Sequence, residues 1–195
     1  MWITNILLLL ALGYHAVSAR MVIGYRTVSE EEATEINRKN APFRDPDYDD
    51  SEGWSQLGNG VYTTPTPAGW SSYGVSNWYC AIKADEDKFT AATKAWIPYA
   101  DYYDNRLWNQ GESALTGYIS DSLNEEPDKT LRLSYIGGHG YNEQMLIPTE
   151  MVNSDALDFY AQCFGTKQEL LDYSDEVVDY DSWSNLVGYK GNPRK

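Results

Sequence analysis

Apolar and polar residues alternate with period two along "TLRLSYI" at 130–136, which predicts a half-buried strand. The aromatic and β-branched run "NWYCAIKA" at 77–84 is the clearest strand in the chain. "MVIGYRTV" at 21–28, "AWIP" at 95–98 and "EQMLIP" at 143–148 are shorter runs of the same kind. "LGNGVYTT" at 57–64 reads as a tight glycine turn entering a strand, and "PTPAGW" stops it. Helical spacing appears in "SEEEATEINRK", where Ser29 and Glu32 stand at capping-box separation and Ala33 and Ile36 share a face. Asp85 caps a second helix through "EDKFTAATKA". "NSDALDFYAQCFG" at 153–165 is predicted helical, with Ser154 at its start and Gly165 beyond its end. Thr166 and Glu169 begin a further short helix, "TKQELLD". No pattern organises the acidic stretch after Ser174, which is expected to be a tail.

Strands outnumber strand–helix–strand units, so the predicted class is α+β, a single domain of mixed twisted β-sheets with flanking helices. No repeat or long linker divides the 195 residues. Residues 1–19 carry a short apolar run, with Val17 and Ala19 as small residues for cleavage, and are expected to be a signal peptide. The mature chain is then 20–195, secreted and extracellular, with no membrane span. Trp residues at 54, 70, 78 and 96 are expected mostly in the core.

Cys80 and Cys163 are the two cysteines, and an oxidising compartment predicts a disulfide between them. Closing that loop is worth roughly 4 kcal/mol in the chain-entropy model. From the predicted elements, the bridge joins sheet to helix. Neither CxxC spacing nor a Cys/His cluster points to zinc, "DPDYDD" lacks the spacing of an EF-hand, and no metal is expected.

The formal charge of −14 argues against nucleic acid as a partner, because phosphate contacts need a basic face. Seven Trp and sixteen Tyr suit a sugar or nucleotide site. No GxSxG elbow or P-loop is present, and His15, in the signal, leaves no histidine pair for a metal or a triad.

Three pieces remain: "GYRTVSEEEA", "LGNGVYTTP" and, far downstream, "GGHGYNEQMLIP". In this order they resemble the ADP-ribosyltransferase toxin family, particularly small secreted fungal members and the arginine-serine-glutamate group that includes cholera and pertussis toxins. The resemblance covers about residues 21–152. It implies an ADP-ribosyltransferase-like fold, NAD as substrate, Arg26, Tyr62, Thr63 and Thr64 as cofactor-binding residues, and Glu143 as the catalytic carboxylate. It also implies an acceptor loop containing His139 and Tyr141.

The residue types suit that chemistry. Breaking the nicotinamide–ribose bond develops positive charge on the ribose, which a fixed carboxylate stabilises. A guanidinium holds ribose or diphosphate through charge-assisted hydrogen bonds, and glycines let the loop move for an acceptor. The sequence departs from the family in having only Thr63-Thr64 for the hydroxyl strand. It also has Tyr141 where arginine-modifying members carry a second glutamate. The function expected is a secreted mono-ADP-ribosyltransferase, a toxin or effector acting on a protein acceptor as a monomer. The alternatives are NAD glycohydrolysis at the same site, a non-enzymatic interaction protein, and a sugar-binding module. An NAD site requires Arg26, Tyr62 or Thr63, and Glu143 to line one cleft.

Overall fold

The computed structural model describes residues 19–49, 55–70 and 77–194. The expected signal peptide, except Ala19, lies outside the described residues, as does Trp54. In chain order the elements are β1 (Arg20–Val28), α1 (Glu30–Lys39), β2 (Gly60–Thr63), β3 (Trp78–Asp85), α2 (Glu86–Ala91) and β4 (Thr93–Trp96). There follow α3 (Glu112–Gly117), β5 (Thr130–Tyr135), β6 (Glu143–Pro148), α4 (Thr149–Asn153), β7 (Tyr160–Phe164), α5 (Lys167–Tyr173) and β8 (Leu186–Gly188). The class is α+β. One sheet is antiparallel, in the order β1-β3-β7; the other runs β2-β6-β5-β4-β8. In the second sheet β4 lies parallel to both β5 and β8.

Local signals set most boundaries. Ser29 accepts the N–H of Glu32 at 3.2 Å and starts α1; Asn40, at φ 52°, ends it in the left-handed region. Thr166 and Glu169 form a complete capping box on α5. Asp85 accepts from the N–H of Lys88 and starts α2.

The two sheets share a core. Leu133, Met145 and Ile147 of the larger sheet pack with Ile23, Ile82 and Phe159. On its other face Leu146 and Ala95 pack with Leu115, Ile119 and Trp108 beneath α3. β5 is therefore buried on both faces, not half-buried as its alternation predicts. Its polar positions, Arg132 and Ser134, are as inaccessible as Leu131 and Leu133 because they join buried hydrogen-bond networks.

Residues 153–165 do not form the expected helix. Ser154 ends α4 instead of starting a helix, and Asp155 and Asp158 take left-handed φ of 52° and 51° that turn the chain. Beyond the turn, Ala161 and Cys163 are buried between less buried neighbours, the period of a strand. Asn37 of α1 bonds both the N–H and the carbonyl of Cys163, covering this edge strand. Cys163 pairs directly with Cys80 in the β3–β7 register, and the two form a disulfide. The bridge joins neighbouring strands, not sheet to helix.

The segment after Ser174 is no loose tail. Tyr180 is fully buried, Trp183 packs edge-on against Phe89 at 4.7 Å, and β8 closes the larger sheet. Val178, Tyr180, Trp183 and Leu186 supply the apolar contacts, set among acids that hide them in the sequence. Among the described residues no helix is long and apolar enough to cross a membrane, and no group of three or more His, Cys, Asp or Glu is placed to hold a metal ion.

Candidate functional site

The sheets meet where β1 touches the end of β2. Tyr25 and Thr64 exchange backbone hydrogen bonds of 2.9 and 2.8 Å across the junction. Gly24 permits this approach: a Cβ there would stand 2.7 Å from the Thr63 hydroxyl oxygen and 2.8 Å from its Cβ. Beside the junction opens a cleft of about 790 Å³. Its size suits a small-molecule site.

Arg26, at the end of β1, lies in this cleft. Its Nε and Nη2 contact Glu32 Oε1 at 3.0 and 2.9 Å, and Nη1 donates to the Tyr62 carbonyl at 3.3 Å. The Glu32 carboxylate thus serves the arginine and not the helix cap. The Tyr62 hydroxyl accepts the Leu57 N–H at 2.7 Å and donates to the Gly58 carbonyl at 3.1 Å. Burial pushes its ionisation far above the ordinary tyrosine range.

Below this turn Arg132, fully buried, donates to the Leu57 carbonyl at 2.9 Å. It grips Glu112 with both terminal nitrogens, at 3.0 and 2.6 Å. Glu112 in turn accepts the Asn59 N–H at 2.7 Å. The network fixes the glycine turn that delivers Tyr62, and sequence reasoning did not identify it. Thr63 and Thr64 also line the cleft, with their hydroxyls directed to backbone carbonyls.

The glycine-rich loop from Ile136 to Asn142 contributes Ile136, Gly137, Gly138 and His139 to the cleft lining. Gly138 and Gly140 take left-handed φ of 79° and 64°, which lets Ile136 N–H reach the Asn142 carbonyl at 2.7 Å. Gln56 accepts from Gly137 N–H at 2.8 Å, and the Arg194 carbonyl accepts from Gly138 N–H at 3.0 Å. His139 faces the cleft with its ring 5.4 Å from Trp70. Trp70 is 43% exposed, so it belongs to the site and not to the core. Tyr141 turns away, edge-on to Tyr135 and 79% exposed.

The register of β6 separates the expected catalytic residue from the rest. Gln144 pairs with Ser134, and Glu143 with Tyr135, so the two side chains leave opposite faces of the sheet. Gln144 lines the cleft and donates to the Ser134 hydroxyl at 3.2 Å. Glu143 is not among the cleft residues. Its Oε1 lies 2.6 Å from Lys190 Nζ, which also contacts Asp181 at 2.5 Å and rests over the Trp96 ring at 4.3 Å. Burial works against the Lys190 charge, but the Asp181 and Glu143 carboxylates outweigh it and raise its pKa. Arg26, Tyr62, Thr63, Thr64 and His139 therefore share one cleft, while Glu143 and Tyr141 lie outside it.

Arg44, Arg106 and Arg194 line the same cleft, although the sequence reading named none of them. Four of the seven arginines in a chain of net charge −14 thus converge on one cavity. Among the described lining residues there is no Asp or Glu. A census of arginine in so acidic a chain would have raised the question, though not the answer. Tyr62, Trp70, Tyr99 and Trp108 supply aromatic surface. Guanidiniums, aromatic rings and hydroxyls without a carboxylate suit an anionic ligand with flat rings. NAD fits this donor set as a ligand, but the described lining residues include no carboxylate to stabilise a ribosyl cation.

A family model described as a family of unknown function (DUF5910) matches residues 55–189, and the chain belongs to that family. The match includes Tyr62, Arg106 and Gln144; Arg26, Arg44 and Arg194 fall outside it. No curated protein matches the chain.

Proposed function

We propose that this member of the DUF5910 family is a secreted dinucleotide-binding protein that takes NAD into the arginine-lined cleft and does not cleave it. The carrying observation is the convergence of Arg26, Arg44, Arg106 and Arg194 on a cavity whose described lining holds no acid. The diphosphate would lie against Arg26 and Arg44, and the base and nicotinamide rings against Trp70 and the tyrosines. The Cys80–Cys163 disulfide fits an extracellular protein. An ADP-ribosyltransferase-like ancestry accounts for the resemblance of the three sequence pieces. A binding role accounts for the amide at Gln144.

Transfer or hydrolysis at Glu143 would require β6 to shift by one residue. Such a slip turns every side chain of the strand to the other face, exchanging Met145 and Ile147 with Leu146 between two differently packed cores. That cost disfavours the catalytic readings. Titration calorimetry tests the proposal: NAD gives saturable binding, and Arg26→Ala and Arg44→Ala each weaken it by about tenfold or more. A flat titration contradicts it. A protein partner, contacted as a monomer through the exposed loop around Tyr141, belongs to the same reading.

A further inference from the structure

The four arginines of the cleft form two unlike pairs. Arg26 and Arg44 each have a carboxylate behind them, Glu32 at 2.9 Å and Asp49 at 2.7 Å, so much of their charge is already compensated. Arg106 and Arg194 have no ion-pair partner among the described residues. Both guanidiniums lie against the ring of Tyr99, their central carbons 5.3 and 4.5 Å from its centroid. The two charges are thus within about 10 Å of each other, close to the Debye length of about 8 Å at physiological salt.

Both groups are also positioned. Arg106 Nε donates to the Trp108 carbonyl at 3.1 Å, in a strand-like turn where Leu107 N–H bonds the Tyr99 carbonyl at 2.9 Å. At Arg194 it is the backbone that is tied to the cleft loop, its carbonyl accepting from Gly138 N–H at 3.0 Å, while the guanidinium rests against Tyr99. Asp101, in the loop that carries Arg106, does not neutralise it. Its carboxylate is occupied by the N–H groups of Tyr103 and Asn105 and by the Asn105 amide, at 2.8–2.9 Å. An acidic chain has thus kept two guanidiniums against one aromatic ring in the cleft, with no ion-pair partner among the described residues.

Two such charges match a doubly charged group better than a singly charged one. A phosphate monoester carries about −1.5 to −2 at neutral pH and offers three acceptor oxygens. A diphosphate bridge spreads its charge over two phosphates and suits the half-neutralised inner pair. We propose that Arg106 and Arg194 form a phosphate-monoester subsite, so that the ligand is a dinucleotide carrying a third, terminal phosphate. This rests on the dinucleotide reading of the cleft and names the member of that class it prefers.

The test compares NAD, NADP (the same dinucleotide with a 2′-phosphate) and inorganic phosphate by calorimetry on the full chain. NADP binds about tenfold or more tightly than NAD, as one or two charge-assisted contacts would give. Arg106→Gln and Arg194→Gln, both at exposed positions, each bring the ratio of the two affinities toward one. Measurable NAD binding with no preference for NADP, or a preference kept in both variants, overturns the subsite and leaves the dinucleotide reading standing. Inorganic phosphate binding as tightly as NADP, and lost in the same variants, assigns the pair to free phosphate and overturns the proposal. Absence of binding by either dinucleotide overturns both.

Discussion

Glu143 Oε1 lies 2.6 Å from Lys190 Nζ, on the face of β6 opposite the cleft. The lysine comes from the segment just after β8 and lays its ammonium over Trp96. Both side chains are about one-fifth exposed. A pair at this depth stands between a surface ion pair and a buried one.

Lys190→Met keeps an unbranched apolar stem over Trp96 but leaves the Glu143 charge without its lysine. The expected loss is about 1–3 kcal/mol, between the surface and buried limits. For a domain of this size that corresponds to a melting temperature lower by roughly 3–10 °C. NAD affinity changes by no more than about twofold, because a 1.4 kcal/mol difference is needed for tenfold and the pair does not touch the cleft. Thermal unfolding and an NAD titration on the same variant check both halves. A folded variant that has lost NAD binding would show that the two faces of β6 are not independent.

Glu112→Gln removes the charge that meets Arg132 from a fully buried guanidinium. Breaking such a pair from one side costs about 3–5 kcal/mol, reduced here toward 2–4 because Glu112 is partly exposed. Denaturant unfolding should register that loss. Adding Arg132→Met should recover part of it, since an apolar replacement no longer leaves a charge unpaired. Equal stability of the single and double variants would mean that the network does not hold the turn before Tyr62 through its charges.

Replacing both cysteines by alanine breaks the cross-strand link between β3 and β7. Loss of a native disulfide costs about 2–5 kcal/mol, or roughly 5–15 °C in melting temperature for this chain length. Peptide mapping of the unreduced wild type should find Cys80 joined to Cys163. Two alkylatable thiols in the native protein would contradict the link.

The strands named from "NWYCAIKA", "TLRLSYI" and "EQMLIP", and the helices begun by Ser29, Asp85 and Thr166, were legible because local propensity and fold agree there. β7 was not, because Ser154 and Gly165 look like helix punctuation while the decisive left-handed turns at Asp155 and Asp158 are backbone choices. β8 and buried Tyr180 were hidden for another reason: isolated apolar residues among acids have no period until a sheet edge gives them one. The site was half legible. Arg26, Tyr62, Thr63, Thr64 and His139 do converge. The choice between Glu143 and Gln144 was closed to sequence reading, since a strand buried on both faces has no apolar alternation to show which residue faces the cleft. Arg44, Arg106 and Arg194 come from three separate loops, and only the fold brings them together.

The central claim is that the cleft holds NAD without breaking it. Equilibrium dialysis of NAD against the purified protein, with chromatography of the protein compartment at equilibrium, tests binding and cleavage in one sample. The account predicts excess NAD on the protein side, all of it intact. Equal NAD on both sides, or free nicotinamide accumulating with time, would contradict it.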